Sequence, residues 1–218
     1  MIIRTLLSPT TPALTVGDAV GQALFRMAEH GVEHLPVVSA EGQLLALVSE
    51  EVLREQSSPD TPLLALIGTG PAFVTPEAHI FDAAHLMLRH DLSVLPIATA
   101  QGEYLGLVQR ASVFSQLAHM LATEESGAIV VLEAKARDFS LAQLAHVVEQ
   151  NDVRILSVST EEDLEADVVR ATLKLNVSDT ARVRHLMEHL DYKIVGVFDE
   201  LDDDMQERVE EFMRYLEV

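Results

Sequence analysis

The sequence contains no cysteine and no tryptophan, and aromatic residues make up only 5% of its 218 positions. Without cysteine there are no disulfides and no thiolate metal ligands, and a reducing cytoplasm is the expected compartment. So few rings offer no stacking platform for nucleic-acid bases. Basic side chains are scarce as well: 15 Lys and Arg stand against 35 Asp and Glu, a formal charge of -20. A surface of that sign repels phosphate backbones, so no nucleic-acid partner is expected. An anionic small molecule needs a local basic or amide-lined site working against that field. Long hydrophobic runs are missing too, and the opening Met1-Ile2-Ile3-Arg4-Thr5 lacks a signal-peptide pattern, so no membrane association is expected.

What is present is a globular composition, 48% hydrophobic and 23% charged, and an internal repeat. Shifted by 60 residues, the chain matches itself without a gap between positions 14 and 54. Thr15 falls on Thr75, Ala23 on Ala83, Met27 on Met87, His30 on His90, Leu35-Pro36 on Leu95-Pro96, Gly42 on Gly102 and Leu47-Val48 on Leu107-Val108. Matches at one offset mean two copies of a single supersecondary unit. In the first copy Val20, Ala23, Leu24 and Met27 have helical spacing, with Asp18 as the expected N-cap and Gly31 as the stop. Strands at 34–38 and 44–48 flank a turn at Glu41-Gly42, and a second helix begins near Glu50. The second copy repeats this with a helix around 80–88, strands at 94–98 and 104–108, and a helix over 112–121 with Val113, Leu117, Met120 and Leu121 on one side. Ser57 to Pro62 reads as the linker.

Beyond Gly127 the pattern changes. Strands at 128–132, 155–159, 168–177 and 194–198 alternate with helices at 140–150, capped by Ser140 and Gln143, and 180–190. The order β-α-β-β-α-β is the ferredoxin-like split arrangement. A last helix is expected from about Asp203 to Leu216, with Asp202-Asp203-Asp204 at its positive end. The domain division is therefore 1–58, 59–124, 125–200 and a C-terminal helix, 201–218. The fold class is α/β in the broad sense (α+β).

The stretch Gly31-Val32-Glu33-His34-Leu35-Pro36-Val37-Val38 through Gly42 to Ser49 resembles a CBS motif. Leu92-Ser93-Val94-Leu95-Pro96-Ile97 through Gly102 to Val108 resembles a second. Such a pair, a Bateman module, also occurs in IMP dehydrogenases and many transporters. With Gly127-Ala128-Ile129-Val130-Val131-Leu132-Glu133 as the start of an ACT-like domain, the arrangement is similar to bacterial CBS–ACT proteins of the acetoin-utilization type. The resemblance implies a non-catalytic regulatory protein that needs no cofactor. It also implies an adenosine-containing effector, such as AMP, ATP or S-adenosylmethionine, held between the motifs.

In that family a Ser or Thr, and an Asp three residues on, hold the ribose diol, because a carboxylate accepts from both hydroxyls. Here the first copy has Ser49 but Val52, and the second has Gln109 and Ser112, so neither half carries the carboxylate. The resemblance thus implies weak binding, or binding at one site. The candidate ligand residues are Ser49, Gln109 and Ser112, with His34 and Ser93 before the Leu-Pro pairs, Arg110 as a cation, and Thr15 and Thr75 where each copy begins. In the ACT-like part Arg137 and Asp138 are the candidates for a zwitterionic effector, although their loop has no glycine, and dimerisation suits the domain better. A homodimer is expected, and a protein partner for the signal.

Two other readings compete. One is a dimeric scaffold whose sites have degenerated. The other is a zinc hydrolase resting on His185-Leu186-Met187-Glu188-His189, which matches a His-x-x-Glu-His pattern. In the second case Val183, Leu186, Met187 and Leu190 form the core-facing stripe, so both histidines are expected to face solvent and to hold no metal.

Overall fold

The computed structural model describes residues 1–8, 10–68, 70–178, 185 and 192–198. It divides into two compact units, Met1–Gln116 and Leu117–Val218. Among the described residues no helix is long and apolar enough to cross a membrane.

The first unit is the repeat. Copy one runs β1 (Leu14–Thr15), α1 (Val20–His30), β2 (His34–Val38), β3 (Leu44–Ser49) and α2 (Glu50–Arg54). Copy two runs α3 (Ile80–His90), β4 (Val94–Ala98), β5 (Tyr104–Gln109) and α4 (Arg110–Met120). β1 pairs parallel with β2, and β2 pairs antiparallel with β3. In copy two the place of β1 is held by one parallel bridge, Val74 to Ile97. Both hairpins shift register at the equivalent point, between Val37 and Val38 and between Ile97 and Ala98. α1 ends on Gly31 at φ 62°, the left-handed stop that glycine takes without strain. α3 ends on Asp91 at φ 49°, so the same stop is made there by a residue with a Cβ.

The copies interlock at three places. Their turns exchange backbone bonds: Leu44 N donates to Gly102 O and Tyr104 N to Gly42 O, each at 2.9 Å. At the start of α1, Val20 N donates to Thr61 O and Gly21 N to Pro59 O, from the linker. At the start of α3, Ile80 N donates to Met1 O, while Ile3 N donates to Ala78 O, from the N-terminal arm. Each copy thus has its helix start covered by the segment that precedes the other copy. Two short 3-10 turns, Ile3–Leu6 and Leu63–Leu66, carry these crossings, and Ile3 and Leu63 are both fully buried.

This corrects the capping expectation. Asp18 does not cap α1, whose N-cap is Ala19. Carbonyls of the linker already receive the first amides, so Asp18 instead accepts from Thr15 N at 2.7 Å and pairs with Arg26 at 3.2 Å. α4 also differs: it begins two residues early, and burial is confined to Val113 in its first turn, with Met120 and Leu121 exposed.

The second unit contains β6 (Ile129–Lys135), a short turn Ala136–Asp138, α5 (Leu141–Glu149), β7 (Ile155–Asp163), β8 (Val168–Leu175) and β9 (Lys193–Phe198). The sheet order is β7-β8-β6-β9, with every neighbouring pair antiparallel. That is the ferredoxin-like order, with the hairpin β7-β8 laid beside β6. Val130, Leu132, Leu173 and Leu175 pack with Leu144 and Val148 of α5 to form the core. Ser140 caps α5 by accepting from Gln143 N at 3.3 Å, and its own amide donates to the Tyr192 hydroxyl at 2.8 Å. The helices expected at 180–190 and 203–216 lie outside the described residues, apart from His185.

Candidate functional site

The Leu-Pro pairs bring the two copies together where β2 and β4 begin. Ser93 N donates to His34 Nδ1 at 3.3 Å, and Ser93 Oγ lies 3.1 Å from the same nitrogen. Ser93 Oγ in turn accepts from Glu33 N at 2.9 Å. An amide can only donate, so Nδ1 offers its lone pair and the imidazole is neutral. Burial holds the His34 pKa below its usual value of 6.5, and Arg110 lowers it further, against the opposing pull of Glu33 and Asp91.

Beside this contact is a cavity of about 410 Å³, lined by Glu33, His34, Ser49, Glu50, Glu51, Arg54, His90 and Asp91. β2 and β3 deliver His34 and Ser49, which face each other in register. Ser49 also caps α2, accepting from Val52 N at 3.3 Å. Arg54 Nε donates to Glu50 at 2.7 Å, one helical turn apart. Arg110 reaches the rim, donating to Leu92 O at 2.7 Å and to Asp91 at 2.9 Å. The wall therefore carries four carboxylates against Arg54, with Arg110 already paired at its edge.

Of the sequence candidates, His34 and Ser49 line this cavity, and Ser93 and Arg110 touch its lining residues. The others lie elsewhere. Gln109 Nε2 donates to Thr11 Oγ1 at 2.9 Å, and Thr11 is also 3.1 Å from Ser8 Oγ. The N-terminal arm thus meets the amide where the first copy presents Ser49. Thr15 is turned into its own loop by Asp18. Thr75 accepts from Ala78 N through its carbonyl, and Ser112 sits half-buried in the first turn of α4. Arg137 and Asp138 are exposed and 3.5 Å from each other, a surface pair of little energetic weight. His185 is exposed, whereas Glu188 and His189 lie outside the described residues. Among the described residues no three His, Asp or Glu side chains are grouped to hold a metal.

Sequence reasoning missed Glu33, Glu50, Glu51, Arg54, His90 and Asp91 as lining residues. The Glu50/Arg54 spacing was readable as a helical pair, but only the chain crossing brings His90 and Asp91 of copy two beside it.

The CBS domain model matches residues 3–57 and 65–119. Over 142 residues, 65% of this chain, the sequence is 25% identical to an inosine-5'-monophosphate dehydrogenase of Korarchaeum cryptofilum. Over 113 residues, 51% of this chain, it is 22% identical to an A-adding tRNA nucleotidyltransferase of Aquifex aeolicus. The matches span 30% and 14% of those relatives' own lengths. A crystal structure of a CBS domain pair/ACT domain protein from Thermotoga maritima superposes with a TM-score of 0.50 at 22% identity, covering 55% of this chain and 98% of that one. This last likeness concerns the fold. The matched segments coincide with the two interlocked copies, one from the arm to the end of α2 and the other from the linker to α4, and the chain belongs to the CBS-domain family as a tandem pair.

Proposed function

We propose that the CBS pair is a non-catalytic sensor that takes an adenosine-containing ligand in the cleft at His34 and Ser49. The observation that carries this reading is the 410 Å³ cavity at the meeting of the two copies. The size suits a nucleoside. The charge of the wall argues for few phosphates: Glu33, Glu50, Glu51 and Asp91 repel a polyphosphate, and Arg54 is held by Glu50. Adenosine, AMP or S-adenosylmethionine therefore fit better than ATP. Val52 and Ser112, where the family has a carboxylate, keep affinity low.

In this reading the chain is organised as 1–58, 59–124, 125–200 and 201–218, with the third part an ACT-like dimerisation element and the whole protein cytoplasmic. Ligand binding shifts the packing of the copies, and the homodimer passes that shift to a partner, which requires different affinities for two states. Calorimetry on the full chain with adenosine, AMP, S-adenosylmethionine and ATP is the test. The expected order places ATP last, and Val52→Asp, which supplies the carboxylate three residues after Ser49, should tighten AMP by about tenfold or more, the effect of one charge-assisted acceptor. ATP binding most tightly would refute the charge argument. No saturable heat from any of the four would favour the second reading, a scaffold with degenerate sites, which the missing carboxylates at 52 and 112 support.

A further inference from the structure

The register that sets Ser49 opposite His34 in copy one sets Gln109 opposite Val94 in copy two. The cleft of copy one therefore has a counterpart position, and its charge differs. Under the 60-residue shift Glu33 falls on Ser93, Glu50 on Arg110, Glu51 on Ala111 and Asp91 on Gly31. The repulsion that the first wall sets against phosphate is not repeated at those residues.

At the counterpart position the arm that carries Ile3 is fastened across β5. Gln109 Nε2 donates to Thr11 Oγ1 at 2.9 Å, and Thr11 is only 7% exposed. Ser8 N donates to Leu107 O at 2.8 Å, on the strand that carries Gln109. Leu7 is seated on Gly106: a Cβ there would lie 2.6 Å from Leu7 Cδ2, so the bare glycine makes room for the leucine. The copy-one residue matching Gly106 is Ala46. Gln109 stands where the family has a short hydroxyl for the ribose, and its longer side chain reaches the arm instead. Ser49, its counterpart, caps α2 and lines the cavity.

We infer that the Gln109–Thr11 bond is a strap that shuts a second adenosine position, so that the pair presents one cleft and holds another closed. The inference rests on the nucleotide reading for its class of ligand. A neutral amide–hydroxyl bond is a weak fastener in net terms, so cutting it frees the position without dismantling the fold. The position then needs the acceptor that Ser112 does not supply.

Titration of the full chain with AMP, followed by calorimetry, tests this with two variants. Ser112→Asp restores the carboxylate but leaves the strap, and should bind AMP as the parent does. Gln109→Ser/Ser112→Asp also cuts the strap, and should gain one further equivalent of AMP at least about tenfold tighter than Ser112→Asp binds. Thr11→Val/Ser112→Asp cuts the same bond from the arm and serves if the first pair folds poorly. By hydrogen exchange, Gln109→Ser should speed the Ser8 amide by at least about tenfold. The strap is overturned if Ser112→Asp alone gains the equivalent, if neither strap-cut variant gains it, or if the Ser8 amide is unmoved. A parent that binds no AMP beside a strap-cut variant that gains an equivalent would refute the reading of the first cleft and leave the strap standing. A parent that binds AMP beside strap-cut variants that gain none would do the reverse.

Discussion

His34 is the residue on which the junction of the two copies turns. Its Nδ1 receives the Ser93 amide, so protonation removes an acceptor from a partly buried donor. Its pKa in the fold lies below 6.5, hence between that lower value and 6.5 the unfolded chain binds more protons than the native one. The stabilisation is complete above about pH 6.5 and is lost as the pH falls through the folded pKa. His34→Asn keeps an acceptor but not the titration, so it should flatten the fall in urea midpoint between about pH 7.5 and pH 5.5. Equal slopes in parent and variant would rule this out. Gly127 is a second sensitive residue. At φ 147° it occupies a region that side chains rarely enter, and a Cβ there would collide with the Leu175 carbonyl. Gly127→Ala should cost about 1–3 kcal/mol by thermal unfolding, and a change below about 0.5 kcal/mol would show that the backbone yields.

Among the elements, the two short 3-10 turns carry the crossings, and Ile3 and Leu63 are their buried anchors. Because these residues stand 60 positions apart and fill equivalent places, Ile3→Ala and Leu63→Ala should each cost about 2–5 kcal/mol in chemical denaturation. A neutral Ile3→Ala beside a costly Leu63→Ala would show that the arm is not integral. These turns were illegible in the sequence, which treats residues 57–62 as a linker and the first residues as a lead-in. Four-residue turns have no periodicity, and their role depends on a partner helix far along the chain. What was legible was regular and repeated. β2 and β4 begin and end where the 34–38 and 94–98 runs do, and Gly31 stops α1. The site was half legible. His34 and Ser49 have types and neighbours that mark them, whereas Asp91 enters the cleft only through the packing of copy two on copy one.

At the scale of the whole molecule, large apolar side chains stand exposed on the helices of the first unit: Phe25 on α1, Phe81 and Leu88 on α3, Phe114 on α4. A protein of net charge -20 that nonetheless exposes these residues has reason to cover them with a second copy. Light scattering should give a dimer mass at micromolar concentration, and Leu88→Glu should shift it toward the monomer. A monomer mass for the parent chain throughout would sink the homodimer. The crossed arms carry one more consequence, for how the chain is made. Ile3 bonds to Ala78, so the first residues leave the ribosome long before the helix they serve exists. At roughly 5–20 residues per second, the intervening stretch takes about 4–15 s to appear. Throughout that interval the arm has no native place to go, and the first copy cannot finish its core until the linker carrying Leu63 follows. The nascent pair must therefore mature late and as one body, with the arm that carries Ile3 left open to chaperones until α3 emerges.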